Sequence, residues 1–408
     1  MDIVGHGYRA VGSQLGARDQ GEDGFPRYDG CLPVDWDPLS GSWSVPERRT
    51  MNVSVALIVK NEERVLSNCL ESIKDAVDEI VIVDTGSEDA TRDIARRFTD
   101  ELVEVPWRQD FAAARQCAFD HAHGDWVFWL DADDVVRNAV DIRPLLSRMS
   151  PSVGLVFWRY EVAWDGHGNV TCEYWRERCV RRGQGKWTGR IHETLSAPGE
   201  IYFAEGVVVE HHPEPNRPTL MRNIEIMEVV RREEGETPRL LFYLGRDYAT
   251  AGQIDLALEA FGRCLQIATW DDEKYQAQTQ VAELLRRREQ YGEATDADLQ
   301  ALKTHPTWPD AYFGLAKSYY FLQDWPKVVH WSEIGEMLAQ PQTPTIVNPM
   351  DYRFSWIIYY TNALYHVGRV EDALKWTREA LAIVPDDPWH RENERLFTRL
   401  VEGTAARS

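Results

Sequence analysis

Between Met51 and Leu130 the chain alternates two hydrophobic periods, and few folds satisfy that alternation. "VSVALIVK" is a continuous apolar run, the pattern of a strand covered on both faces. "NEERVLSNCLESIKDAV" then sets Val65, Leu66, Cys69, Leu70 and Ile73 on one helical face. "EIVIVDTGSEDAT" repeats strand and turn, and its Thr85 to Glu88 spacing predicts a capping box opening a helix through about Phe98. "ELVEV", "FAAARQCAFDHA" and "DWVFWL" continue as strand, helix and strand. Such alternation predicts an α/β domain with a Rossmann-like, mostly parallel sheet and helices on both faces. Ligands of such sheets bind beyond the carboxyl ends of the strands.

Polar residues gather at those ends: Lys60, Asn61 and Glu62, then Asp84, then Trp107 and Asp110, then Asp131, Asp133 and Asp134. Beyond them, "GLVFWRYEVAW", "DGHGN" and "VTCEYWRERCVRR" read as a hairpin, followed by "WTGRIHETL" and the strand "EGVVVEHHP". "Asp131-Ala132-Asp133" places two carboxylates at a strand end with a small residue between them. Both can face one cleft while Ala132 turns away, a form suited to a divalent ion and a nucleotide diphosphate. In an acidic chain a lone Asp-x-Asp is more often a solvated turn. Its place at the end of an apolar strand favours the site.

From about residue 218 the period is helical throughout. "LLFYLGRDYATAGQIDLALEAFGRCLQIA" is the first of four similar units, with a short side chain recurring at Ala257, Ala294, Val328 and Ala373. The intervals lie near the roughly 34-residue period of helix-turn-helix solenoids, except the last, which absorbs "PQTPTIVNP". The expected domains are an irregular extension over 1–50, an α/β domain over 51–217 and an all-α tetratricopeptide-like solenoid over 218–400.

A formal charge of −21 opposes binding of duplex DNA over long range, and no dense Lys/Arg block appears beyond "RERCVRR" and "LLRRRE". Peptides, sugars and cations suit such a chain better. Six scattered cysteines without a Cys-x-x-Cys pair point to reduced thiols in a cytoplasm-like compartment. No apolar run reaches the ~18 residues of a membrane span, and "MDIVGHGYRAVGSQ" lacks the pattern of a secretion signal. "DTGSEDAT" has neither the spacing of a dinucleotide fingerprint nor that of a P-loop.

"ALIVKNEERVLSNCLESIKDAVDEIVIVDTGSEDAT", "FAAARQCAFDHAHGDWVFWLDADD" and "RIHETL" together resemble family 2 glycosyltransferases of the GT-A fold, and the plan resembles those members that carry tetratricopeptide repeats behind the catalytic domain. Peptide-modifying S-glycosyltransferases of the sublancin type share that plan. The resemblance spans roughly residues 51–390. It implies a UDP-sugar donor with Mn²⁺ or Mg²⁺, held by Asn61, Glu62, Asp84, Arg115, Asp131 and Asp133. It implies Asp133 and His211, or its neighbour His212, as metal ligands. An inverting transfer needs a carboxylate to take the acceptor proton, for which Glu193 and Asp134 compete. Asp110 stands where relatives commonly carry Asn. Trp107, Trp158, Trp175 and Trp187 are stacking or packing residues.

A polypeptide acceptor follows from the solenoid's concave surface, with self-association through the repeats as a further expectation. A glycan, or a modified nucleobase of phage-type DNA, is the alternative acceptor. A catalytically inactive repeat scaffold is the alternative of another class.

Overall fold

The computed structural model describes residues 35–37, 42–44, 51–214 and 219–405 of the 408. Most of the expected irregular extension over 1–50 lies outside the described residues. Within it, β1 (Asp35–Asp37) and β2 (Ser42–Ser44) pair antiparallel, so the extension is not wholly irregular.

Eight strands form the main sheet: β3 (Val53–Val59), β4 (Glu79–Asp84), β5 (Leu102–Glu104), β6 (Trp126–Leu130), β7 (Asp134–Arg137), β8 (Val153–Trp164), β9 (Val170–Arg181) and β12 (Glu200–His211). Their order is β5-β4-β3-β6-β9-β8-β12-β7. β9 and β7 run against the other six, so the sheet is mixed at one end and parallel at the other. The two-residue period of β3, buried on both faces, explains why it is apolar throughout except at Ser54. Val53, Val55, Leu57 and Val59 pack with Leu66, Cys69, Leu70 and Ile73 of α1 (Leu66–Ile73). Ala56 faces the opposite layer, with Ala118 and Phe119 of α3 (Phe111–Asp120). Asp110 caps α3, its side chain accepting from the Ala113 amide.

The helix after β4 begins later than the sequence pattern predicts. α2 spans only Thr91–Ala95, and Thr85 is no cap. The Thr85 hydroxyl instead donates to the Val59 carbonyl, tying β4 to β3, while Asp84 accepts from the Gly86 and Ser87 amides. A nearer backbone partner has outcompeted the local capping geometry. The segment after β7 holds a 3-10 turn, Ala139–Asp141, and α4 (Ile142–Ser147).

β8 and β9 form the expected hairpin, turning where Asp165 accepts from the His167 and Asn169 amides. A second small hairpin, β10 (Lys186–Thr188) and β11 (Thr194–Ser196), carries "RIHE" at its tip. Trp187 of β10 packs edge-on against Phe119 and Trp129. That contact fixes the tip beside the end of β6.

Helices follow from α5 (Leu220–Glu234). The four repeats are α6 (Pro238–Thr250) with α7 (Ile254–Ile267), α8 (Asp271–Arg287) with α9 (Tyr291–Thr304), α10 (Asp310–Phe321) with α11 (Trp325–Glu336), and α13 (Ile357–His366) with α14 (Val370–Ile383). α12 (Pro349–Arg353) lies in the insert and α15 (Pro388–Ala405) closes the array. Ala257, Ala294, Val328 and Ala373 are fully buried, as small residues at close helix crossings must be.

Gly245 makes the closest approach in the first pair: a Cβ there would lie 2.9 Å from the Phe261 ring. Gly245→Ala is therefore expected to destabilise the repeats by about 1–3 kcal/mol, the usual cost of overpacking. The midpoint of urea unfolding followed by helix circular dichroism measures it. An unchanged midpoint would show that Phe261 repacks freely.

The sheet and the repeats share apolar surface, because Phe111 and Ile191 pack into the core of α5, α6 and α7. Arg190 adds ion pairs to Glu233 and Glu234, and the insert adds backbone bonds between Val347 and Glu173. No helix of the described residues is long and apolar enough to cross a membrane.

Candidate active site

The turn after β6 is closed by its own backbone. The Asp134 amide donates to the Asp131 carbonyl at 3.1 Å, and the Asp131 amide donates back to the Asp134 carboxylate at 3.0 Å. This geometry turns Asp131 and Asp133 into a cleft of about 980 Å³ between the sheet and the helices. Asp134 points the other way. It is fully buried, accepting from Arg178 and the Tyr160 hydroxyl at 2.9 Å each. The expectation that Asp134 competes with Glu193 as the base is therefore corrected: it is the anchor beneath the turn, with no solvent face from which to take a proton.

Arg115 joins the two remaining carboxylates. Its Nη2 donates to Asp131 at 2.7 Å and its Nε to Glu193 at 2.6 Å, while its guanidinium lies 4.1 Å above the Trp129 ring. Burial by itself would raise the Asp131 carboxyl, but the Arg115 and Arg178 charges overcome it and hold Asp131 down to about 2. Arg115 Nη1 is buried with no partner. The Arg115 side chain as a whole lines the cleft, so a positive charge stands in its wall.

Asp133 lacks such compensation. Burial pushes its carboxyl up to about 6, His211 offsets this in part, and Asp131 and Asp134 push it further. Burial would lower His211, yet the Asp134 hydrogen bond and the three carboxylates together raise it. His211 Nδ1 lies 3.4 Å from Asp133 and 3.3 Å from Asp134. One ligand atom from each of Asp133, Asp134 and His211 falls within 4.8 Å of the others. With Asp134 sealed behind the turn, Asp133 and His211 are the members of this set that face the cleft, an oxygen and a nitrogen donor of the kind that Mn²⁺ or Mg²⁺ accepts. His212 is the wrong neighbour. It lies just past the end of β12, is half exposed, stacks on Trp164 and reaches Glu210 instead of the cleft.

Asn61 and Glu62 line the far end of the cleft with Thr85. Asn61 adopts a left-handed backbone (φ 55°), its side chain accepting from the Glu88 amide at 2.8 Å. Asp84 does not reach the cleft: it is fully buried and spends its oxygens on the Gly86 and Ser87 amides. Asp84, expected to hold a nucleoside, instead holds the turn that follows β4. Of the four tryptophans, Trp107 lines the cleft, whereas Trp158, Trp175 and Trp187 are buried in the core.

Sequence reasoning missed the helical wall. Tyr243, Arg246 and Asp247 of α6 line the same cleft, as does Arg176 of β9. Tyr243 stacks on His192 with ring centroids 3.9 Å apart, and Arg239 donates to the His192 carbonyl. Burial, then the charges of Arg239, Arg246 and Arg176, hold His192 well below its ordinary range, so it is neutral beside Glu193. Burial lifts Asp247 to about 6 against the pull of Arg246. Arg176 was detectable, since it shares a strand face with Arg178 in "WRER" and both lie over Trp129. The α6 residues carry no local signal because their partners lie in another domain.

Comparison with known proteins agrees with this geometry. Residues 54–195 match glycosyl transferase family 2. A TPR repeat-containing protein of Synechococcus elongatus is 27% identical over 62% of this chain and 76% of its own length. The glycosyltransferase SunS of Bacillus subtilis is 30% identical over 48% of this chain and 49% of its own. The lipopolysaccharide core biosynthesis glycosyltransferase LpsC of Rhizobium meliloti is 30% identical over 36% of this chain and 58% of its own. The chain thus spans about three quarters of the first relative and about half of the next two. A matched segment that ends at the RIHE hairpin, Arg115 bridging Asp131 and Glu193, and relatives named as glycosyltransferases together identify residues 54–195 as a glycosyl transferase family 2 domain, carried ahead of helical repeats.

Proposed function

We propose that the chain is a metal-dependent, inverting glycosyltransferase that moves a sugar from a UDP-sugar to a polypeptide side chain. One observation carries the reading: Asp131, Asp133, Arg115, Glu193 and His211 meet in a single cleft at the carboxyl ends of the strands. Asn61, Glu62 and Thr85 form the nucleoside end, with Asp131 beyond them. Asp133 and His211 would hold Mn²⁺ or Mg²⁺, with Asp134 behind them. When bound, the ion supplies the positive charge that stabilises the departing diphosphate. Arg115 orients Asp131 and Glu193 and places its positive charge in the cleft wall. Glu193 takes the proton from the acceptor hydroxyl or thiol as that atom attacks the anomeric carbon and the carbon–oxygen bond to UDP breaks. The product is the inverted glycoside with UDP released.

The polypeptide acceptor is supported by the helical repeats that wall the cleft and by the resemblance to peptide-modifying transferases. The similarity to a lipopolysaccharide core transferase favours a glycan as the second reading. Five cysteines among the described residues are free thiols, which suits a reducing, cytoplasmic setting.

A mass-spectrometric screen of UDP-hexoses and UDP-N-acetylhexosamines with Mn²⁺ tests the reading, scoring UDP release and sugar-sized mass shifts on peptides. Absence of both turnover and UDP binding in the folded protein would sink it. Mn²⁺ at about 1 mM, a hundredfold above a dissociation constant of about 10 µM, is expected to stabilise the protein by about 2.7 kcal/mol, visible as a raised Tm. Equal melting with Mn²⁺ and with chelator would remove the ion from the mechanism.

A further inference from the structure

A second groove opens beside the catalytic cleft and shares two of its walls. Arg246 and Ile346 line both spaces. The groove, about 220 Å³, runs between the facing sides of α6 and α8. On α6 it is bounded by Phe242, Arg246 and Thr250, and on α8 by Gln276, Gln280 and Arg287. Both sets follow helical spacing, four residues and then four on α6, four and then seven on α8, so each is one continuous stripe. From Gln276 to Arg287 the α8 stripe rises about 16 Å at ~1.5 Å per residue, the length of about five residues of extended chain.

Its charge runs opposite to that of the protein. The chain carries −21 overall, yet the groove is lined by two guanidinium groups, two carboxamides and no carboxylate. Arg246 forms no ion pair among the described residues, and Arg287 reaches only Glu283, at 3.8 Å, while its side chain stays half exposed. Arg246 acts on its neighbour Asp247 without pairing with it, and Arg287 has one distant partner, so both keep attraction for an incoming anion. Carboxamides add donors and acceptors that match a peptide backbone, and Phe242 and Ile346 supply apolar contact.

We propose that this groove binds the acceptor polypeptide next to its modified residue, and that it selects an acidic side chain there, seated between Arg246 and Arg287. The inference rests on the polypeptide reading above. It adds the path by which the acceptor leaves the cleft and the charge it carries.

Two fluorescent peptides of about twelve residues test it, one of alternating Ser and Glu and the other of alternating Ser and Gln, titrated by anisotropy with UDP and Mn²⁺ present. The Glu peptide is expected to bind at least about tenfold more tightly, as charge-assisted bonds to two arginines require, and to weaken steeply with salt. Arg287→Glu should remove that preference while leaving calorimetric binding of UDP and Mn²⁺ unchanged, because Arg287 lies outside the catalytic cleft. Equal affinity of the two peptides, or binding of neither, overturns the proposal. So does tighter binding of polygalacturonate than of the Glu peptide, which would assign the groove to an acidic glycan. Loss of UDP binding with the peptide preference intact would reject the donor chemistry and leave the groove standing.

Discussion

Asp133→Asn is expected to lower transfer by about a thousandfold or more, equivalent to about 4 kcal/mol of barrier, with the fold intact. The substitution keeps the size of the side chain and removes one charge. Asp133 is the carboxylate of the turn that no arginine neutralises; Asp131 has Arg115 and Asp134 has Arg178. Burial and its two acidic neighbours push it up to about 6, which is the electrostatic mark of a place short of one positive charge. Asparagine relieves that excess in the free protein, so Tm without metal should hold or rise slightly. The Mn²⁺-dependent rise in Tm should vanish. Initial rates of UDP release, with melting curves at matched Mn²⁺, measure both effects. Retention of the Mn²⁺ shift in Asp133→Asn would move the ion elsewhere.

Much of this arrangement is legible in the sequence, and the gaps have physical causes. Period separates sheet from solenoid because a two-sided strand and a helix face cannot share a pattern. "LDADD" marks the site because polar residues cluster where strands end. Which carboxylate faces the cleft is not a local property. Asp134 is turned inward by Arg178 and Tyr160, which are 44 and 26 residues away along the chain. Asp84 is likewise spent on two amides of its own turn, a competition that strand-end position does not reveal. His211 closes β12 and turns to Asp133 and Asp134, whereas His212, the first residue beyond the strand, turns to Glu210 and Trp164. The helical wall is invisible for a different reason. Tyr243 is an ordinary residue of a repeat helix until α6 stacks it on His192.

Glu193→Gln is the variant expected to separate binding from chemistry. Glutamine keeps the length of the side chain and an oxygen that can still accept from Arg115 Nε, so the link to Asp131 should survive. It removes the group that can take a proton, and transfer should fall by about a hundredfold to ten-thousandfold, the range of a lost general base. UDP and Mn²⁺ should bind within about threefold of the unaltered protein, because Asp131, Asp133 and His211 are untouched. Arg115→Met provides the contrast. It leaves the buried Glu193 and the partly exposed Asp131 without the cation that bridges them, so it should weaken UDP binding as well as turnover and lower Tm by several degrees. Calorimetry of UDP with Mn²⁺, single-turnover transfer and melting curves on the two variants distinguish these patterns. If Glu193→Gln transfers at the normal rate, the base is another group. With Asp134 sealed behind the turn, the next candidate is Asp247, the cleft carboxylate that burial raises and that has an oxygen with no partner.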